Sequence, residues 1–254
     1  MATVKVLPAE SLCPFYVLDV ETTNPAADVM ARLEEEFLVE WEPSGNLKDP
    51  EKIEAKRQAD IEKFRERAAL LDAAPVAMVG LMFEDATFLL HGLKTAKAKW
   101  FGNRKNNVTL EGFHGEKALM EAVSLVLNEK TSTGWMGVGH NCYGFDLRRI
   151  RLACVRNGLK LPEALRVVLN EEEDRRRFLD TMQHFCRYFG RNGEIMISQD
   201  KMLGRLGIES LLNGVATGAD VPGLLASGKI NEVATKLLAD LVGVRDAFLK
   251  MTGR

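Results

Sequence analysis

Cysteine is scarce in this chain. Its four residues, Cys13, Cys142, Cys154 and Cys186, are scattered without a single CxxC pair. Neither a disulfide framework nor a thiolate zinc site is therefore expected, and reduced thiols fit a cytoplasmic setting. The four histidines never fall in HxxxH or HExxH spacing, which argues against a histidine-ligated metal. No apolar stretch approaches the roughly 18 residues of a membrane helix, and no basic-then-apolar leader opens the sequence. A surplus of one charge is missing too: the net charge is −2. Wholesale binding of polyanions is thus excluded, and any nucleic-acid contact has to rest on a local basic surface. What remains is ordinary for a soluble globular protein: 254 residues, 46% of them hydrophobic and 28% charged.

Periodicity places the elements. Phe15 to Thr23 reads as a buried central strand. Residues 24–74 then change character, with Pro25, Pro43 and Pro50 and a long charged run from Asp49 to Arg67. Asp49 followed by Pro50 is a helix start, an N-cap ahead of proline at the first helical position. Only Ile53, Ile61, Phe64 and Ala68 form its thin apolar stripe, which predicts a surface helix. This insertion is either a solvated support or an arm that guides substrate. Two strands follow, 75–83 and 86–90, joined by a turn at Glu84-Asp85. Helical spacing recurs over 115–128, and a further buried strand over 134–139 ends in the loop His140 to Gly144. A helix over 145–157 is stopped by Gly158, a short one over 201–206 by Gly207, and a long helix over 231–251 closes the chain. The stretch 178–189 fits either a strand or a helix. The expected fold is one α/β domain with a mixed sheet flanked by helices.

Four carboxylates stand out against this pattern. Asp19 and Glu21 occupy positions i and i+2 of the first strand, so they project side by side from one face. Two ionised carboxylates that close repel each other and lose hydration unless a cation sits between them. Asp240 falls within the core-facing stripe Val233, Leu237, Val244 and Phe248 of the last helix, where an uncompensated charge is costly. Asp146 opens a helix behind a strand. There it serves either the free amides of the helix N-terminus or a site of the kind that α/β sheets form at their strand ends.

Together these segments resemble the three motifs of the DEDD superfamily of 3′→5′ exonucleases. The motif residues are Val17-Leu18-Asp19-Val20-Glu21-Thr22-Thr23, then Gly139-His140-Asn141-Cys142-Tyr143-Gly144-Phe145-Asp146-Leu147, then the helix carrying Asp240. The similarity is greatest to stand-alone versions of the proofreading exonuclease domain of family-B polymerases. It extends to 46–53, 178–182 and 200–208, and so covers nearly the whole chain. The resemblance implies a ribonuclease-H-like fold with the helical insertion at 24–74. It also implies two Mg²⁺ or Mn²⁺ ions, about 4 Å apart, flanking a scissile phosphate. Asp19 would bridge both ions, Glu21 and Asp240 would complete the first, and Asp146 would hold the second. Hard cations of this kind take oxygen ligands. Thr22, Asn141 and Phe145 are implied substrate contacts, although Phe145 reads equally well as a core anchor.

One departure stands out. Where the family carries a water-orienting tyrosine four residues before the last aspartate, or a histidine five before, this chain has Lys236 and Thr235. Lys236 reads either as an ion-pair partner of Asp240 or as an amine whose pKa nearby cations depress, leaving it free to accept a proton. A third possibility is a site that turns over poorly. Arg148 and Arg149, one turn into the Asp146 helix, are candidate phosphate contacts, as are Lys94, Lys97, Lys99, Arg104 and Lys105. Such runs also occur as plain solvated faces. The expected function is removal of nucleotides from the 3′ end of single-stranded DNA, with a polymerase or recombination partner acting in trans. The alternatives are a weakened homologue serving as a binding or scaffold protein, and an exoribonuclease.

Overall fold

The computed structural model describes residues 13–93, 107–131, 134–166, 177–191, 193–211 and 214–254. Six strands form one mixed sheet in the order β4-β3-β2-β1-β5-β6. They are β1 (Phe15–Thr22), β2 (Val76–Met82), β3 (Thr87–His91), β4 (Val108–Gly112), β5 (Met136–Gly139) and β6 (Phe178–Asp180). β1 runs antiparallel to β2, and β2 antiparallel to β3. β5 lies parallel to β1, and β6 parallel to β5. This mixed sheet between helical layers is the ribonuclease-H-like α/β arrangement expected from the sequence.

Strand alternation divides the core. Tyr16, Leu18 and Val20 point into a layer made with α3 (Gly115–Lys130) and α4 (Asp146–Arg156). Val17 points the other way, against α7 (Val221–Ala226) and the closing helix α8 (Ile230–Thr252). A third cluster, with Phe185, Met202 and Ala247, fixes α5 (Thr181–Tyr188) and α6 (Gln199–Arg205) against α8. Val233, Leu237, Val244 and Phe248, the stripe that the sequence assigned to the core, are all buried, as is Leu241 beside them.

The insertion between β1 and β2 is a pair of helices, α1 (Ala27–Glu40) and α2 (Pro50–Glu66). Asp49 caps α2 as its sequence implied, its carboxylate accepting the Glu51 and Lys52 amides. The pair shares a small contact, with the Phe37 and Phe64 rings 4.8 Å apart and Arg65 forked onto Glu34. α1 buries no residue and α2 only Ile61, so the arm stands on the surface. Where it returns to the sheet it is tied down. The Thr22 hydroxyl donates to the Ala69 carbonyl, and the Arg149 guanidinium donates to the carbonyls of Leu70 and Leu71.

Three elements, α1, β4 and α7, were not assigned from sequence. The ambiguous stretch 178–189 proves to hold both a strand and a helix, β6 running straight into α5. Lys94, Lys97, Lys99, Arg104 and Lys105 lie outside the described residues. Among the described residues, no helix is long and apolar enough to cross a membrane.

Candidate metal centre

The acidic site begins with the alternation of β1. Asp19 and Glu21 continue the face that carries Val17, so they look toward α8 while their neighbours Leu18 and Val20 fill the opposite layer. In register with Asp19 on β2 is Gly80. A β-carbon there would lie 2.7 Å from Leu241 Cδ1 and 3.0 Å from Leu237 Cγ. The missing side chain lets α8 settle directly on the sheet at this point. That seating delivers Asp240, between Leu237 and Leu241, to the carboxylates below. Oxygen atoms of Asp19, Glu21 and Asp240 all lie within 4.8 Å of one another.

Asp146 approaches from the other layer. β5 pairs with β1 only as far as Val17, so the β1 edge beyond lacks a strand on that side. Asp146 Oδ1 takes the Val20 amide there at 2.9 Å, while the residue itself heads α4. Its oxygens are not part of the 4.8 Å group. Its charge is nonetheless felt at Asp19, more strongly than those of Asp240 and Glu21. Burial, followed by these three neighbouring carboxylates, pushes the Asp19 pKa well above the usual carboxylate range. Burial likewise raises Asp146, Glu21 and Asp240, with Lys236 opposing the shift at the last two.

Lys236 offsets part of this negative charge. One helical turn before Asp240, its Nζ donates to Glu21 Oε1 at 2.5 Å and to Asp240 Oδ2 at 2.7 Å. The three side chains are only about one-tenth exposed. Burial pulls the ammonium pKa down, but Glu21, Asp19 and Asp240 together push it above its ordinary value. Of the two readings of Lys236, the ion pair with Asp240 is the arrangement present here, extended to Glu21, so the lysine acts as a donor to both carboxylates. Thr235, the other position of interest, bonds back to the Asn231 carbonyl on the exposed side of α8.

The substrate-contact candidates separate. Asn141 adopts a left-handed backbone (φ 56°), a conformation asparagine tolerates better than most residues. It lines an open cleft of about 440 Å³ together with His140, Met182 and Gln199. Phe145 is half-buried, with the Arg149 guanidinium 5.1 Å from its ring centre. Thr22 is buried and its hydroxyl is committed to Ala69, so that hydroxyl is not turned toward a nucleotide. Arg149 departs from the phosphate contact expected of it. It is 4% exposed, and its guanidinium pins residues 70–72 rather than facing solvent. Arg148 is exposed and paired with Asp72.

Two supporting residues went unread in the sequence. Asp180 is buried and accepts the amides of Asn141, Tyr143, Met182 and Gln183, so one carboxylate both caps α5 and shapes the loop leading to Asp146. An aspartate between a short apolar run and a helical pattern was the signal available for it. Gln199 reaches across from α6 to the Asp240 carbonyl at 3.0 Å.

Clustered carboxylate oxygens are the donor set that hard divalent cations such as Mg²⁺ or Mn²⁺ prefer. Burial first, and then the neighbouring carboxylates, disfavour ionisation of these groups, and a cation among them would offset both effects. The residues therefore fit such ions. In comparisons with known proteins, no family model matches this chain, and no curated protein matches its sequence.

Proposed function

We propose that the protein is a metal-dependent 3′→5′ exonuclease of the DEDD type, acting on single-stranded DNA. One observation carries the proposal. Three carboxylates, from the first strand and from the last helix of a ribonuclease-H-like sheet, bring their oxygens within 4.8 Å, and a fourth stands behind them on the adjoining helix. Divalent ions at such a cluster supply a hydroxide nucleophile and steady the leaving 3′ oxygen. Asp19, Glu21 and Asp240 would hold them directly, and Asp146 directly or through water. Asn141, in the adjoining cleft, and Phe145, directly before Asp146, would position the terminal nucleotide, and Arg148 would contact its phosphates. Any proofreading or recombination role would be exercised in trans, in the cytoplasm, where the four free thiols stay reduced.

Lys236 favours a second reading. An ammonium bonded to two of the three clustered carboxylates competes with a divalent ion for the same oxygens. A homologue weakened in this way would bind single strands without consuming them. Incubating 3′- and 5′-labelled oligonucleotides with Mn²⁺ or Mg²⁺, with and without EDTA, separates the two. Shortening from the 3′ end that needs metal and disappears in Asp19→Ala supports the enzyme. Tight binding without products supports the binder, and an RNA of matched sequence tests the sugar preference.

A further inference from the structure

Most large apolar side chains left exposed are scattered singly, which is normal for a soluble protein. Four are not: Tyr188, Phe189, Ile195 and Met196 are 61%, 50%, 80% and 68% exposed within a short stretch at the end of α5. The aromatic part is organised. The His184 ring lies 4.7 Å from that of Tyr188 and 6.4 Å from that of Phe189, and the Arg187 guanidinium lies 5.4 Å from the Tyr188 ring centre. Phe189 also stacks on the buried Phe185 at 5.9 Å, which roots the surface in the core. Residues 181–205 carry Arg187, Arg191, Lys201 and Arg205 against only Glu194 and Asp200, a local basic excess in a chain of net negative charge.

This surface meets the cleft next to the metal centre through Met196, which lines it together with Met182, His140, Asn141 and Gln199. Gln199 in turn holds the Asp240 carbonyl.

We propose that this face is the track for the upstream nucleotides of a single strand of DNA whose 3′ end is seated at the carboxylates. The proposal rests on the nuclease reading above. Unpaired bases stack on Tyr188 and Phe189 while Arg187, Arg191 and Lys201 meet the phosphates. Interleaved rings and cations suit exposed base faces, which a duplex hides within its stack. An apolar protein partner would leave the basic excess without a counterpart.

Fluorescence anisotropy with labelled dT20 in EDTA, where turnover is blocked, tests the track without relying on catalysis. The double variant Tyr188→Ala/Phe189→Ala is expected to bind roughly tenfold or more weakly than wild type. Both side chains are exposed, and an unchanged melting temperature would establish that the variant is folded. Arg187→Ala/Arg191→Ala should in addition flatten the dependence of log Kd on log salt, by about 0.7 for each phosphate that is no longer neutralised. Hydrolysis of the p-nitrophenyl ester of thymidine 5′-monophosphate, too small to reach α5, should stay within about twofold of wild type in the aromatic variant. An unchanged Kd for dT20, or no dT20 binding by the wild type, overturns the track whatever the activity. A weakened Kd in a protein that cleaves neither substrate keeps the track and sinks the nuclease reading instead.

Discussion

Replacing Lys236 by methionine keeps the length of the side chain and removes its charge. Glu21 and Asp240, bonded to the ammonium at 2.5 and 2.7 Å, are then left close together and almost wholly enclosed. Breaking a buried pair by deleting one partner typically costs about 3–5 kcal/mol. For a chain of this size each kcal/mol moves the melting temperature by roughly 2–4 °C, so a fall of about 6–20 °C is expected in EDTA at pH 8. The fall should be smaller at pH 5.5, where one carboxylate can take up a proton to relieve the repulsion. Adding Mn²⁺ should restore stability. A ligand at a hundred times its Kd contributes about 2.7 kcal/mol. The gain should exceed that of the wild type, whose ammonium contests the same oxygens. Thermal melts of both proteins over a Mn²⁺ titration are sufficient. If the variant melts with wild type in EDTA, the lysine does not hold the cluster together. Equal gains from Mn²⁺ would mean that ammonium and ion do not share ligands.

Asp19→Asn should melt above wild type in EDTA at pH 8, because it removes a carboxylate that burial and three like charges disfavour. A raised folded-state pKa adds stability at low pH that is lost as pH climbs through it, so the gap should close toward pH 5, and a gap independent of pH would contradict this account. The same variant should lose any stabilisation by Mn²⁺. Gly80→Val should push α8 off the sheet, costing about 1–3 kcal/mol and weakening Mn²⁺ binding measured by calorimetry; full retention of both would show that the close approach is dispensable. Arg149→Met should free residues 70–72, costing about 1–3 kcal/mol in a denaturant melt and hastening proteolysis near Leu70, with little effect on the salt dependence of DNA binding. A marked drop in that salt dependence would return Arg149 to the phosphate-binding role first expected of it.

What the sequence exposed was whatever local periodicity could carry. Strand alternation put Asp19 and Glu21 on one face, and the stripe of α8 flagged Asp240 as a misplaced charge. Proline after Asp49 and glycines at 158 and 207 marked helix ends that the structure reproduces. What stayed hidden depends on partners distant in the chain. Arginine runs look alike whether solvated or, like Arg149, locked onto carbonyls some 78 residues earlier. Lys236 faces Glu21 across 215 residues, and nothing near position 236 announces the contact. β4 and α1 went unread, although Met30, Leu33 and Phe37 of α1 recur at helical spacing in a helix that buries none of its residues. Asp180 went unread as a helix cap, and its grip on the loop before Asp146 required the fold.

From Leu18 to Glu21 the odd and even residues of β1 serve different ends, and this sorts mutational outcomes by parity. Changes at 16, 18 or 20 strike packing in one layer and should appear in a selection as lost or insoluble protein. Changes at 19 spare that layer and should act on metal binding, and changes at 21 add the loss of a buried partner for Lys236. A library covering residues 18–21 would therefore show packing and site effects that alternate along the chain.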